Sequence, residues 1–206
     1  MALGDNYITV QQLKDRLGVG DVEDDTLFTG AVAAATDGIN HICERDFQQA
    51  AAASARRYKP IAPDLVIVDD FFTTTGLVVK TDQGDVGTYD TTISSTAFEL
   101  DPIDGIVNGQ PGWPYTAIHL VDGSCWPRGR RHTIQVTAQW GWAAVPAAIT
   151  EAAYVLAEDL AKLRDTPFGV GGFGEFGRIR ARENPNVAML INDYRRGTSR
   201  GMLLVG

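Results

Sequence analysis

The apolar periodicity of this chain changes twice, and that order limits what it can fold into. Residues 8–47 and 141–195 carry apolar side chains at three- and four-residue steps, the spacing of one helix face. Between them, from about residue 58 to 139, the texture becomes period two with short β-branched runs. Helices segregated from a run of strands give an α+β fold.

Local signals fill in the order. Thr9 and Gln12 have capping-box spacing and open a short helix with Val10, Leu13 and Leu17 inward, ended by Gly18 and Gly20. Asp21 is expected to cap a second helix, with Glu23, Asp24 and Asp25 at the positive end of its dipole. Leu27, Phe28, Val32, Ala35, Ile39, Ile42 and Phe47 form its apolar stripe. The alanine-rich run 50–55 reads as a fraying extension or a linker. Residues 65–68, 77–80, 97–100, 117–121 and 133–139 read as strands, with turns at Gln83-Gly84-Asp85, Asn108-Gly109 and Asp122-Gly123. Pro146 introduces a third helix striped by Ile149, Ala153, Leu156, Leu160 and Leu163. Asn184-Pro185 opens a last one with Val187, Leu190, Ile191 and Tyr194 inward. The expected architecture is a small bundle of four helices with an antiparallel β subdomain inserted between helix 2 and helix 3. Residues 1–57 and 141–206 would form the bundle, residues 58–140 the insertion, with a glycine- and arginine-rich loop at 168–182 and an apolar tail.

Charge narrows the function classes. The 206 residues carry a formal net charge of -8, which argues against whole-surface binding to nucleic acid. The first fifty residues hold nine acids and three bases, whereas residues 151–206 hold seven acids and eight bases. A polarised subunit of this kind suits head-to-tail contacts, which close into rings; a solvated acidic helix with ordinary surface arginines is the plainer reading. No apolar run approaches the ~18–20 residues of a membrane helix, and MALGDNYITV does not read as a signal peptide. Cys43 and Cys125 are far apart and suit a reducing cytosol.

No motif assembles an active site. Gly169, Gly171 and Gly174 match G-x-G-x-x-G by letter, but a helix precedes them where the dinucleotide fold needs a strand. His41 and Cys43 lie about 200° apart on a helix and would not share a metal. Ser124-Cys125-Trp126 lacks a nucleophile elbow; Asp24/Asp25 and Asp69/Asp70 read as a helix start and a solvated loop, and acid–base work by Glu158 and Asp159 stays open with nothing raising it above background. No cofactor or metal is expected. The arginine clusters remain, Arg128-Gly129-Arg130-Arg131 and Arg178/Arg180/Arg182, as solvated loops, subunit contacts or phosphate-binding groups.

The order of parts resembles the head–tail connector (adaptor) proteins of tailed double-stranded DNA bacteriophages. Leu13/Leu17, Glu23-Asp24-Asp25 and Arg45-Asp46-Phe47 match that family's short helix, acidic cap and the end of its long helix. Cys125-Trp126-Pro127, Gly141-Trp142, Val145-Pro146 and Leu163-Arg164-Asp165 follow in the family's order. Pro185-x-Val187, Leu190-Ile191 and Tyr194-Arg195 resemble its closing segment. The poorest match is 50–115. The resemblance implies a structural virion protein and not an enzyme. It implies a ring of about a dozen copies beneath the portal, extending the DNA channel and docking the next neck, stopper or tail protein, with no membrane partner. Double-stranded DNA would pass without sequence-specific binding. By the same resemblance, Met202, Leu203, Leu204 and Val205, with Arg195, Arg196 and Arg200, form a portal-docking tail, where a frayed terminus is the alternative. Arg178, Arg180 and Arg182 are candidates for contact between neighbouring copies. Another neck, head-completion or minor tail protein, a small-molecule module built on the β subdomain, and a DNA-contacting packaging factor are the competing readings.

Overall fold

The structure is a computed structural model and describes residues 4–162, 178–179 and 182–196. The chain divides into two compact units, one of residues 3–47 with 145–206 and one of residues 48–144. Each has its own buried apolar residues.

The helical unit starts with α1 (Val10–Leu17). Its capping box forms as the spacing requires: Gln12 N–H donates to Thr9 Oγ1 at 3.1 Å, and Thr9 N–H to Gln12 Oε1 at 2.8 Å. Gly18, in the left-handed region at φ 70°, ends the helix. Helix α2 (Asp25–Cys43) begins four residues later than the expected cap. Asp21 instead folds back in a turn, its Oδ1 accepting from Glu23 N–H, and Asp24 takes the cap position. Helix α3 (Ala147–Lys162) follows Pro146, and α4 (Pro185–Ile191) has its first amides held by Asn184 Oδ1. The facing stripes of α2 and α3 are rich in small side chains, with Ala31, Ala34, Ala35, Ala152, Ala153 and Ala157 all buried. Small residues at a contact let two helix axes approach closely.

Three ion pairs tie α1 to its neighbours. The Arg16 guanidinium spans Glu151 at 2.6 Å and Glu158 at 2.6 Å on α3, and Lys14 meets Asp25 at 2.6 Å. The fork geometry makes the arginine contacts the better defined ones, and the Arg16 guanidinium draws the Glu151 carboxyl below its usual range.

The second unit corrects the expected architecture. It is not a small β subdomain set into a helical bundle but a large antiparallel sheet with a core of its own. Its strands are β1 (Ser54–Tyr58), β2 (Leu65–Thr81), β3 (Thr91–Thr92), β4 (Phe98–Asp101), β7 (Tyr115–Leu120) and β8 (Ile134–Trp140), in the order β1-β8-β2-β7-β4 with β3 on β2. A separate ribbon pairs β5 (Ile106–Val107) with β6 (Gln110–Pro111) around the Asn108-Gly109 turn, where both residues take positive φ as such a hairpin turn demands.

Strand β2 explains the error. Read as two short strands, it is one strand of 17 residues. It pairs with β7 through Leu65–Phe71 and with β8 through Phe71–Thr81, changing register at bulges on the way. Bulges bend and twist a strand so that one long element serves two neighbours. The alanine-rich run 50–55 is not helical either; it leads into β1. Val66, Val68, Phe71, Val79, Ile118, Ile134, Val136, Ala138 and Trp140 form the sheet's buried cluster, with the period-two alternation of a one-face-buried sheet.

Candidate functional site

Two groups of cationic side chains are assembled, one in each unit. The first lies at the end of α2. That helix stops because Glu44 takes the left-handed conformation at φ 51°, its N–H reaching back to Asn40 O. The turn drives Phe47 into the interior, where its ring meets Tyr7 edge-on at 6.0 Å and Tyr194 at 5.9 Å. The Tyr7 hydroxyl donates to Asn40 Oδ1 and accepts from Phe47 N–H. Burial pushes its pKa well up. Tyr194, held on Phe47, places Arg195 beside α2. Asn40, His41, Ile42, Glu44, Arg182 and Arg195 line an open cleft of about 350 Å³ there. One turn back, Arg178 Nε donates to Asp37 Oδ2 at 2.9 Å. Guanidinium groups suit this end of α2, where helix carbonyls carry negative partial charge.

Arg178, Arg182 and Arg195 are therefore gathered along the last turns of α2, and Arg196 is half-buried in the same segment. Arg180, Arg200, Met202, Leu203, Leu204 and Val205 lie outside the described residues, as does most of the 168–182 loop.

The second group is on the sheet unit. Asp85 fixes the loop that carries Arg128, Arg130 and Arg131. Its two carboxylate oxygens accept from the backbone N–H groups of Arg130 and Arg131, both at 2.9 Å. These amides hold its carboxyl below the usual range. Gly129 sits against that carboxylate so closely that a Cβ would lie 2.5 Å from Asp85 Cγ. The buried Asp82 carboxylate accepts from Val86 and Gly87 N–H, and Tyr89 donates its hydroxyl to His132 O. The Arg57 guanidinium lies over the Tyr89 ring at 5.3 Å. With both loops held, Arg57, Lys59, Arg128, Arg130 and Arg131 are exposed together. Sequence reading marked Gln83-Gly84-Asp85 only as a turn. The clue it left was a glycine between arginines, since only a residue without Cβ lets a carboxylate approach the backbone this closely.

Neither group forms a catalytic constellation. Cys43 is fully buried and burial pushes its thiol up to about 12, so it stays protonated. His41 is exposed, and His119 Nε2 lies 2.6 Å from Asp101 Oδ2 across neighbouring strands. Ser124 donates its hydroxyl and its N–H to Asp122 Oδ1 within an exposed turn. Among the described residues no cluster of His, Cys, Asp or Glu has the arrangement to hold a metal, and no helix is long and apolar enough to cross a membrane.

No family model matches the chain, and no curated protein matches it. Two solved structures share its fold along nearly the whole length. One is a chain of the neck of an empty gene transfer agent particle computed with C6 symmetry. It is 17% identical, with 92% of this chain and 89% of that one covered and a TM-score of 0.53. The other belongs to the virion of a native gene transfer agent particle. It is 19% identical, with 95% and 92% covered and a TM-score of 0.55. At such identities the likeness is one of fold.

Proposed function

We propose that this chain is a structural protein of the neck of a tailed-phage-like particle: a head–tail connector (adaptor) whose copies form a ring beneath the portal, extend the DNA channel and join capsid to tail. The observation that carries the reading is the fold shared with a neck chain of a gene transfer agent over 92% of this chain. The motif order from Leu13 to Arg195 supports it independently, because it was legible without any structure. The C6 symmetry of that neck supports a ring of identical copies, a dozen being one multiple of six.

The charge fits the task. A subunit of net charge -8 lining a channel repels the phosphate backbone, so duplex DNA slides through and is not held. The partners are the portal on one side and the next neck, stopper or tail protein on the other. The role is architectural and not catalytic. The tail 197–206, with its Met202-Leu203-Leu204-Val205 run, is the portal-docking segment. Deleting 197–206 is expected to abolish attachment to heads while leaving the thermal unfolding midpoint unchanged; truncated protein that still completes particles removes the tail's role.

A second reading keeps the protein in the particle but elsewhere. The virion match supports a different head-completion or minor tail position equally well. Gold-labelled antibody on intact particles separates the two. Label confined to the head–tail junction supports the connector, and label along the tail or over the head contradicts it.

A further inference from the structure

Ring assembly by head-to-tail contact needs two different surfaces on each copy that fit one another. One is the exposed basic patch of Arg57, Lys59, Arg128, Arg130 and Arg131 on the sheet unit. Its loops are held by Asp85, Asp82 and Tyr89, so its guanidinium groups stand on a fixed backbone. Binding then orders side chains alone, which lowers its entropic cost. Of the carboxylates beside it, Asp85 is committed to two backbone amides and Asp90 is exposed near Thr91. Five cations face these two anions and the buried Asp82 carboxylate, which is itself committed to two backbone amides. In a chain of net charge -8, the patch fits an anionic partner.

The chain carries a surface of the opposite kind. Residues 21–25, Asp-Val-Glu-Asp-Asp, turn ahead of α2, with Asp21 and Glu23 exposed and Asp25 bonded to Lys14. Val22, between the two exposed acids, is 73% exposed, and Val86, in the loop beside the arginines, is 67% exposed. Each surface thus pairs exposed charges with one exposed valine. Guanidinium forks match carboxylates in pairs, and two valines brought together leave water where a phosphate backbone would offer them nothing apolar.

We propose that the Arg128–Arg131 loop of one copy receives the acidic 21–25 turn of the next, and that this contact joins neighbouring copies in the ring. The inference rests on the connector reading above. The occupant is a second copy of this chain and not duplex DNA.

Charge reversal in the full chain tests it. Arg128→Glu/Arg130→Glu and Asp21→Lys/Glu23→Lys are made separately and then together, with circular dichroism to show that each is folded. Sedimentation across a concentration series reads the assembly. Each pair alone is expected to weaken self-association by about 100-fold, because like charges then face each other. The fourfold variant is expected to regain most of it. A fourfold variant no better than either pair overturns the proposal, as do variants that assemble like the original chain. Arginine variants that keep their rings but lose a salt-sensitive mobility shift with duplex DNA overturn it in favour of DNA as the partner. An original chain that stays monomeric at every concentration, both alone and with the portal of its own particle, removes the ring reading itself. Rings indifferent to both reversals leave that reading standing and sink only this contact.

Discussion

At the residue scale, single positions hold the two units in shape. Gly141 takes φ 97°, and a Cβ there would lie 1.8 Å from Gln48 O, while its N–H bonds Asp70 O at 2.7 Å. No side chain fits without moving backbone, so Gly141→Ala is expected to cost about 3 kcal/mol or more, read by urea denaturation. Tyr7 joins Thr36, Asn40 and Phe47 through its amide and hydroxyl. Tyr7→Phe leaves the buried Phe47 N–H without an acceptor and the half-buried Asn40 Oδ1 without its donor, and a loss of about 1–3 kcal/mol is expected. The Asp85 latch responds to acid with a definite sign. Its carboxyl titrates lower in the folded chain than in the unfolded one, so its contribution is present above the ordinary aspartate range and is lost as pH falls through the lowered folded value. Nuclear magnetic resonance should show the Arg130 and Arg131 amide protons moving together below the ordinary aspartate range, and Asp85→Asn should abolish that step. Movement centred at an ordinary aspartate pKa, or none, contradicts the latch. The two cysteines differ as their burial does: thiol reagents should modify the exposed Cys125 quickly and reach the buried Cys43 only on unfolding.

At the element scale, the helices were more legible than the sheet. A helix window of three or four turns holds its own apolar stripe, and α1, α3 and α4 follow theirs. Strand β2 was split because Asp69-Asp70 and the threonines 73–75 look like loop in a local window. Their partners come from elsewhere in the chain. Arg56 and Tyr58 bond Asp69 at 2.7 and 2.9 Å, and Trp142 Nε1 donates to Asp70 at 3.0 Å. Two carboxylates, one answered by an arginine and a tyrosine and the other by an indole, cost a strand little, and no neighbour in sequence announces them. The start of α2 was misplaced for a related reason, since Asp21 satisfies Glu23 in a turn and leaves the cap position to Asp24. The arginine sites were half legible: the spacing from Arg178 to Arg182 was visible, but Asp37 and Asp85, which position the clusters, were not. Packing of α3 against α2 predicts that Leu156→Ala, at a fully buried position, costs about 2–5 kcal/mol, measurable as a lower denaturant midpoint.

At the scale of the whole molecule, the distribution of charge says more than its sum. The first fifty residues hold a six-charge acidic excess, and the exposed arginines gather on one loop of the sheet unit and along the end of α2. The contact proposed between copies would bring these opposite charges together, giving adhesion of one copy to the next. The adhesion should weaken as salt rises, because contacts between exposed charges are screened beyond about 8 Å at physiological ionic strength. The fold recurs in a chain of a gene transfer agent neck. On the connector reading, copies of this chain close into a ring around a channel. Electron-microscope class averages of the purified protein, alone and with the portal of its own particle, test that most directly. Closed rings of identical copies are expected, coaxial with the portal and enclosing a channel wide enough for duplex DNA. Single copies scattered in both preparations, or bound along DNA and absent from the portal, would contradict it.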